Sequence, residues 1–181
     1  MNQYVLLLRG INVGGKNKVP MGELRACLEA LGLSAVRTYI ASGNVIAASP
    51  LPKSAVKKRV EDGLRRRFEL DSELIKVHVL TAAELRAVVE KRPRGFGERP
   101  GTYLYDAIFL MGVSAAEAMK AFSPREGVDR VWPGDGVIYS QRLSAERTKS
   151  RLSKITASPL YQAMTIRNWN TTTRLLAMLD E

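Results

Sequence analysis

The sequence predicts an α+β fold of two subdomains, the first ferredoxin-like and the second a smaller α+β unit with C-terminal helices. Three observations carry this expectation. The periodic segments of residues 1–80 run β-α-β-β-α-β, the split βαβ order that lays two helices on one face of an antiparallel sheet. A capping box, Thr81-Ala-Ala-Glu84, opens a new helix where that unit is complete. A hydrophobic content of 45% over 181 residues supports a packed core. The expected domains are therefore 1–80 and 81–181.

Each element has a local reason. Residues 3–9 carry β-branched and large apolar side chains without a breaker and read as a strand. Pro20 suits the first turn of a helix, and Met21, Leu24, Cys27, Leu28 and Leu31 then fall on one face, with Gly32 as a stop. Val36–Ser42 and Val45–Ala48 read as strands joined through Ser42-Gly-Asn44, a hairpin-type turn. Residues 53–69 form a helix with Val56, Val60, Leu64 and Phe68 four apart and basic side chains elsewhere, and 74–80 form the fourth strand. Beyond the capping box a helix runs to about Lys91, and prolines and glycines make a loop of 92–101. Tyr103–Met111 is an apolar strand. Ser114-Ala-Ala-Glu117 opens a short helix, and Asp129–Trp132 and Val137–Gln141 flank a hairpin connection. Residues 144–155 read as helical and basic, Ser158-Pro159 starts a further short helix, and Asn170 caps the last one.

Composition excludes several function classes. One cysteine, Cys27, rules out an internal disulfide, and it reads as a small buried thiol. With a single histidine, His78 in a strand-like run, neither a zinc site nor a cysteine–histidine pair is expected, and no cofactor is implied. No apolar run approaches the about 20 residues of a membrane span, and no signal region is visible, so a cytoplasmic protein without membrane association is expected. The net charge of +10 points to acidic partners: nucleic acid or phosphate-bearing ligands.

Two segments are candidate binding elements. Arg9-Gly-Ile-Asn-Val-Gly-Gly-Lys16 follows a strand and nearly fits the phosphate-loop pattern. Asn17 replaces the magnesium-holding Ser or Thr, four residues separate Lys16 from the helix, and the strand order is ferredoxin-like. These features argue against a nucleotide triphosphatase. A looser expectation remains, in which backbone N–H groups at Gly14 and Gly15, with Lys16 or Lys18 and Arg9, hold an anion. The alternative is a turn that only fixes sheet geometry. Ser42 and Asn44 return beside the first strand, at the end near this loop or at the opposite one, and Asn12 and Asn44 can equally serve backbone groups at turns. In the second segment Arg167, Asn168 and Trp169 offer a cation, an amide and an aromatic plate that could stack a base. The alternative there is a helix cap with Trp169 in the core. Asp106 lies inside a strand with no evident partner, and no catalytic motif is visible.

Arg9-Gly-Ile-Asn-Val-Gly-Gly15, Thr38-Tyr-Ile-Ala-Ser-Gly-Asn-Val45, the Lys149–Leu152 segment and Thr165-Ile-Arg-Asn-Trp-Asn-Thr171 together resemble the bacterial family called domain of unknown function 1697. The resemblance runs over essentially the whole chain and is most specific in its first two motifs. It implies two α+β subdomains, the first ferredoxin-like, and no established activity, substrate or catalytic residue. The leading expectation is binding of a phosphate-bearing small molecule or RNA. The alternatives are a regulatory module that contacts a protein or another copy of the chain, and a metal-independent enzyme on a small anionic metabolite whose base would be Lys16, Tyr39 or His78.

Overall fold

The structure, a computed structural model, describes residues 1–71 and 75–181. The chain divides into two compact units, Met1–Arg86 with Leu175–Glu181, and Ala87–Arg174. The sequence suggests one boundary near residue 81; the observed units exchange chain at 86/87 and again at 174/175.

The first unit carries β1 (Asn2–Arg9), α1 (Met21–Ala30), β2 (Ser34–Tyr39), β3 (Asn44–Ser49), α2 (Lys53–Arg67) and β4 (Lys76–Thr81). Leu74, where sequence spacing starts the fourth strand, lies outside the described residues. The sheet is antiparallel in the order β2-β3-β1-β4, the ferredoxin-like arrangement. Tyr4, Leu6 and Leu8 alternate onto the face covered by the helices and join Leu24, Leu28, Val56, Val60 and Leu64 in one core. Val5 and Leu7, on the opposite face, are equally buried, which is why this strand reads as a continuous apolar run. Pro20 sits at the N-cap, one position before the first turn. At α3 (Ala82–Glu90) both halves of the capping box form: the Glu84 N–H donates to Thr81 Oγ1 (3.1 Å), and the Thr81 N–H donates to Glu84 Oε2 (2.8 Å).

The second unit carries β5 (Tyr103–Leu110), α4 (Ala115–Ala118), β6 (Asp129–Pro133), β7 (Val137–Leu143) and β8 (Met164–Asn168). Its sheet order, β6-β7-β5-β8, repeats that of the first unit strand for strand. The fourth strand is absent from the sequence-based expectation, which places a short helix from Ser158-Pro159 and a last helix capped by Asn170 and assigns no strand between them. Five residues broken by Arg167 carry too little alternation to show a strand, and pairing with β5 supplies it. Residues 144–155 are not a continuous helix either. They form 3₁₀ turns at Ser144–Lys149 and Leu152–Ala157, with a third at Pro159–Ala163. The break between the first two falls where the Asp129 carboxylate accepts hydrogen bonds from Ser150 Oγ (2.6 Å) and the Arg151 N–H (2.8 Å). α5 (Trp169–Leu179) is capped by Asn168, whose Oδ1 accepts from the Asn170 N–H at 2.7 Å, so the cap lies two residues before the expected Asn170. Among the described residues no helix is long and apolar enough to cross a membrane.

Gly43, beside the glycine loop, is fixed by close approach. At Gly43 φ is +83°, and a Cβ would lie 2.8 Å from Leu8 Cβ and from Ile11 Cδ1. Gly14 also has positive φ (+57°), but nothing lies within 4 Å of a Cβ there. Gly43→Ala should therefore cost about 2–4 kcal/mol in urea unfolding, strain and overpacking together, against about 1 kcal/mol for Gly14→Ala. Equal costs would contradict this packing.

Candidate functional site

The glycine loop is a small β-hairpin. β1 ends at Arg9, Gly10 turns the chain at φ +86°, and Ile11 is buried as an anchor. Asn12 and Asn17 then face each other, with the Asn12 N–H donating to the Asn17 carbonyl at 2.9 Å. Gly14 and Gly15 both take positive φ (+57° and +74°), as a type I′ hairpin turn requires, and the Lys16 N–H closes it on the Val13 carbonyl at 3.0 Å. That N–H is thereby engaged, and no helix follows the turn directly, so the geometry is not a phosphate loop's.

The asparagines fasten this hairpin to the unit. Asn12 Nδ2 donates to the carbonyls of Val19 (3.0 Å) and Ala41 (2.8 Å), and its Oδ1 accepts from the Val19 N–H (2.8 Å). Asn17 Nδ2 donates to the Gly10 carbonyl (2.9 Å), and its Oδ1 accepts from the Asp71 N–H (2.8 Å). Both residues have φ near +50°, a conformation asparagine tolerates better than most side chains.

Register decides where Ser42 and Asn44 lie. Asn44 pairs with Leu7, and the Leu8 N–H donates to the Gly43 carbonyl at 2.9 Å, so the 40–43 loop sits at the same end of the sheet as the hairpin. Asn44 is 0% exposed, and its Nδ2 donates to the Tyr39 carbonyl (3.0 Å) and to Ser42 Oγ (2.9 Å). Arg9, Asn12, Gly14, Gly15, Lys16, Ser42 and Asn44 are thus gathered at one end of the first unit. Asn12 and Asn44 hold backbone there, while the hairpin tip, Lys16, Lys18 and Ser42 face solvent. Two large apolar side chains are exposed on the same loops, Val13 at 64% and Ile40 at 51%. Ile40 takes φ +50°, a strained conformation for a β-branched residue.

Arg167, Asn168 and Trp169 belong to the second unit and are mostly interior. Trp169 is 7% exposed and meets Phe96 edge to face at 5.0 Å, in a cluster that also joins Phe96 to Tyr105, Trp132 and Tyr139. A ring so placed offers no face to a base. Arg167 is 9% exposed, and its Nη1 donates to the Ile166 carbonyl at 2.9 Å. Burial pushes its pKa down to about 10, so it remains a cation near neutrality. The Lys149–Leu152 motif is fastened by Asp129. Burial acts to raise the Asp129 pKa, but the bonds from Ser150 and from the Arg125 and Arg151 N–H groups, with Arg142 nearby, hold it below the usual range. Asp106, Ser140 and Arg142 share the face of the second sheet that Asp129 occupies, a grouping that emerges only once the strand register is known.

Among the candidate bases, His78 is half-buried on β4. Burial, helped by Lys53 and Lys57 and opposed by Glu84, pushes its pKa down to about 4, so it is neutral at physiological pH. Cys27 is buried, and burial pushes its thiol pKa up, the signature of an inert core cysteine.

A family model described as "Protein of unknown function (DUF1697)" matches residues 1–139. Among solved structures the chain is similar to the conserved bacterial protein SP0830 from Streptococcus pneumoniae. The two share 27% identity and a TM-score of 0.84, over 100% of this chain and 99% of that one. No curated protein matches the sequence.

The depressed pKa of His78 has a consequence for stability. Between its unfolded value of 6.5 and about 4, the unfolded chain takes up a proton that the native state does not. Stability should therefore fall as pH drops through that window, by on the order of 2 kcal/mol between about pH 7 and pH 5. Urea midpoints of His78→Gln should lose this portion of the pH dependence. An unchanged profile would show that His78 is not held neutral.

Proposed function

We propose that this chain, which belongs to the DUF1697 family, binds a phosphate-bearing ligand, a nucleotide or RNA, at the hairpin end of its first unit. One observation carries the reading: two asparagines anchor by five side-chain hydrogen bonds a turn whose glycines have open space around them. The anchored hairpin presents Gly14, Gly15, Lys16 and Lys18 in solvent on a chain of net charge +10. Exposed backbone held in advance of binding bears a low ordering cost when an anion arrives, and the two ammonium groups add charge beside it. Arg9 flanks the hairpin at the end of β1. Asn12 ties the two loops together, and Ser42 and Asn44 brace the second of them. The buried Trp169 and Arg167 have no part in this surface. A second reading, contact with a protein partner, is favoured by the exposed Val13 and Ile40 on the same loops.

Thermal unfolding against nucleotides, sugar phosphates and short RNA and DNA at low salt tests the proposal. A ligand at about 100 times its dissociation constant should add roughly 2.7 kcal/mol. Lys16→Ala with Lys18→Ala should abolish the shift and leave the unliganded midpoint unchanged, since both side chains are exposed. If the ligand is RNA, affinity should fall steeply with salt, with a slope reduced by about 1–2 in the double variant. No shift with any phosphate class would reject the reading and favour the protein contact.

A further inference from the structure

On the second sheet, strand register gathers aromatic and basic side chains at one corner. Tyr105, Gln141 and Arg130 lie directly opposite one another across β5, β7 and β6. Ala107, Tyr139 and Trp132 do so two residues along, and Tyr103 faces Leu143 in the other direction. Alternation puts all of these on one face. The other face is the one on which α4 packs, where Ala118 joins Ile108 and Ile138. The middle of the aromatic face is closed by the buried Phe96, which meets Tyr105 (4.8 Å), Tyr139 (5.3 Å) and Trp132 (5.7 Å) edge to face. The corner beside it stays open. Tyr103, Trp132, Gln141 and Leu143 are half-buried there, and Arg99 and Arg130 are exposed.

Both arginines rest on rings. The Arg130 guanidinium carbon lies 4.7 Å from the centroid of Trp132, and that of Arg99 lies 5.6 Å from the centroid of Tyr103. Neither side chain makes an ion pair or a hydrogen bond among the described residues, and the same is true of the Gln141 amide between them. A guanidinium backed by a ring and otherwise in solvent is a stacking plane oriented before any ligand arrives. Register sets the two rings two strands and four residues apart, on the order of 16 Å. The segment that carries Phe96 adds charge: Lys91, Arg92, Arg94 and Arg99 stand against a single acid, Glu98, within 91–101.

We propose that this corner of the second unit binds single-stranded RNA. Two bases of one strand stack on the Arg130 and Arg99 guanidinium planes, the Gln141 amide meets a base edge or ribose hydroxyl between them, and the basic 91–99 segment takes the phosphates. Unpaired bases are what RNA presents in loops and ends, whereas a duplex hides them. A mononucleotide would engage one arginine and leave the other empty. An acidic peptide would neutralise the charge without filling the two stacking planes. The surface lies wholly within the second unit and does not rest on the hairpin of the first.

Anisotropy of a labelled single-stranded RNA of about ten nucleotides, read together with tryptophan emission, tests the assignment on the full chain. Of the two tryptophans Trp169 is buried, so a change of emission on binding reports on Trp132. The RNA should bind at micromolar concentration at low salt, and a duplex of the same sequence at least about tenfold more weakly. Arg99→Ala with Arg130→Ala, both at exposed positions, should weaken binding by about thirtyfold and lower the salt slope by about 1–2. Arg130→Lys keeps the charge and loses the plane, so it should still weaken binding by about fivefold with the salt slope unchanged. Lys16→Ala with Lys18→Ala should leave the emission response as it is, which separates failure of the hairpin reading from failure of this one. Absence of RNA binding, equal binding of the duplex, tighter binding of single-stranded DNA, full affinity in Arg130→Lys, or unchanged affinity in the Arg99 and Arg130 double variant would each overturn the proposal.

Discussion

The hydrogen bond from the Leu8 N–H to the Gly43 carbonyl, made across a residue with no side chain, is the constraint on which the candidate site depends. It closes the β1–β3 pairing at its last position and brings the 40–43 loop against Ile11. Asn12 can then reach the Ala41 carbonyl and the glycine hairpin acquires a fixed base. A Cβ at Gly43 would separate the two loops, and the Asn12 amide would lose its bond to the Ala41 carbonyl.

The second unit contains the same device. Its Leu110 N–H donates to the Gly136 carbonyl at 3.0 Å, and Gly136 has φ +69°. With the shared strand order, this makes the two units variants of one plan. They differ in what each attaches to it. After β1 the chain inserts the anchored hairpin before α1; after β5, Gly112 (φ +73°) leads almost at once to the Ser114-capped α4. Where the first unit has α2, the second has 3₁₀ turns held by Asp129. The hairpin and the turns held by Asp129 are therefore local elaborations of a common scaffold. What each unit adds to that scaffold, in loops and in exposed side chains, is the place to look for function.

Elements set by local chemistry were legible in the sequence. The four-residue spacing of Val56, Val60 and Leu64, the Thr81–Glu84 box and the Gly14-Gly15 turn each state their structure within a few residues. Features set by register were not. Whether Ser42 and Asn44 lie beside the first loop depends on how β3 pairs with β1, and no local pattern encodes that. The same holds for Asp106, whose neighbours Ser140 and Arg142 are assembled by strand pairing alone. β8 is hidden because its polar residues sit in a strand buried largely by partners remote in sequence. In the candidate site, residue types that signal ligand binding also signal backbone support. Asn12 and Asn44 prove to be engaged with backbone groups, and Trp169 with an aromatic core.

As proposed, the asparagine-anchored hairpin is a preformed anion-binding element. Amide relaxation and chemical shifts at Gly14, Gly15 and Lys16, with and without inorganic triphosphate, test it most directly. Order parameters near 0.85, as in rigid backbone, together with saturable shifts at these three amides, are the predicted result. Values below about 0.6 in the free protein, with no response to the anion, would contradict it.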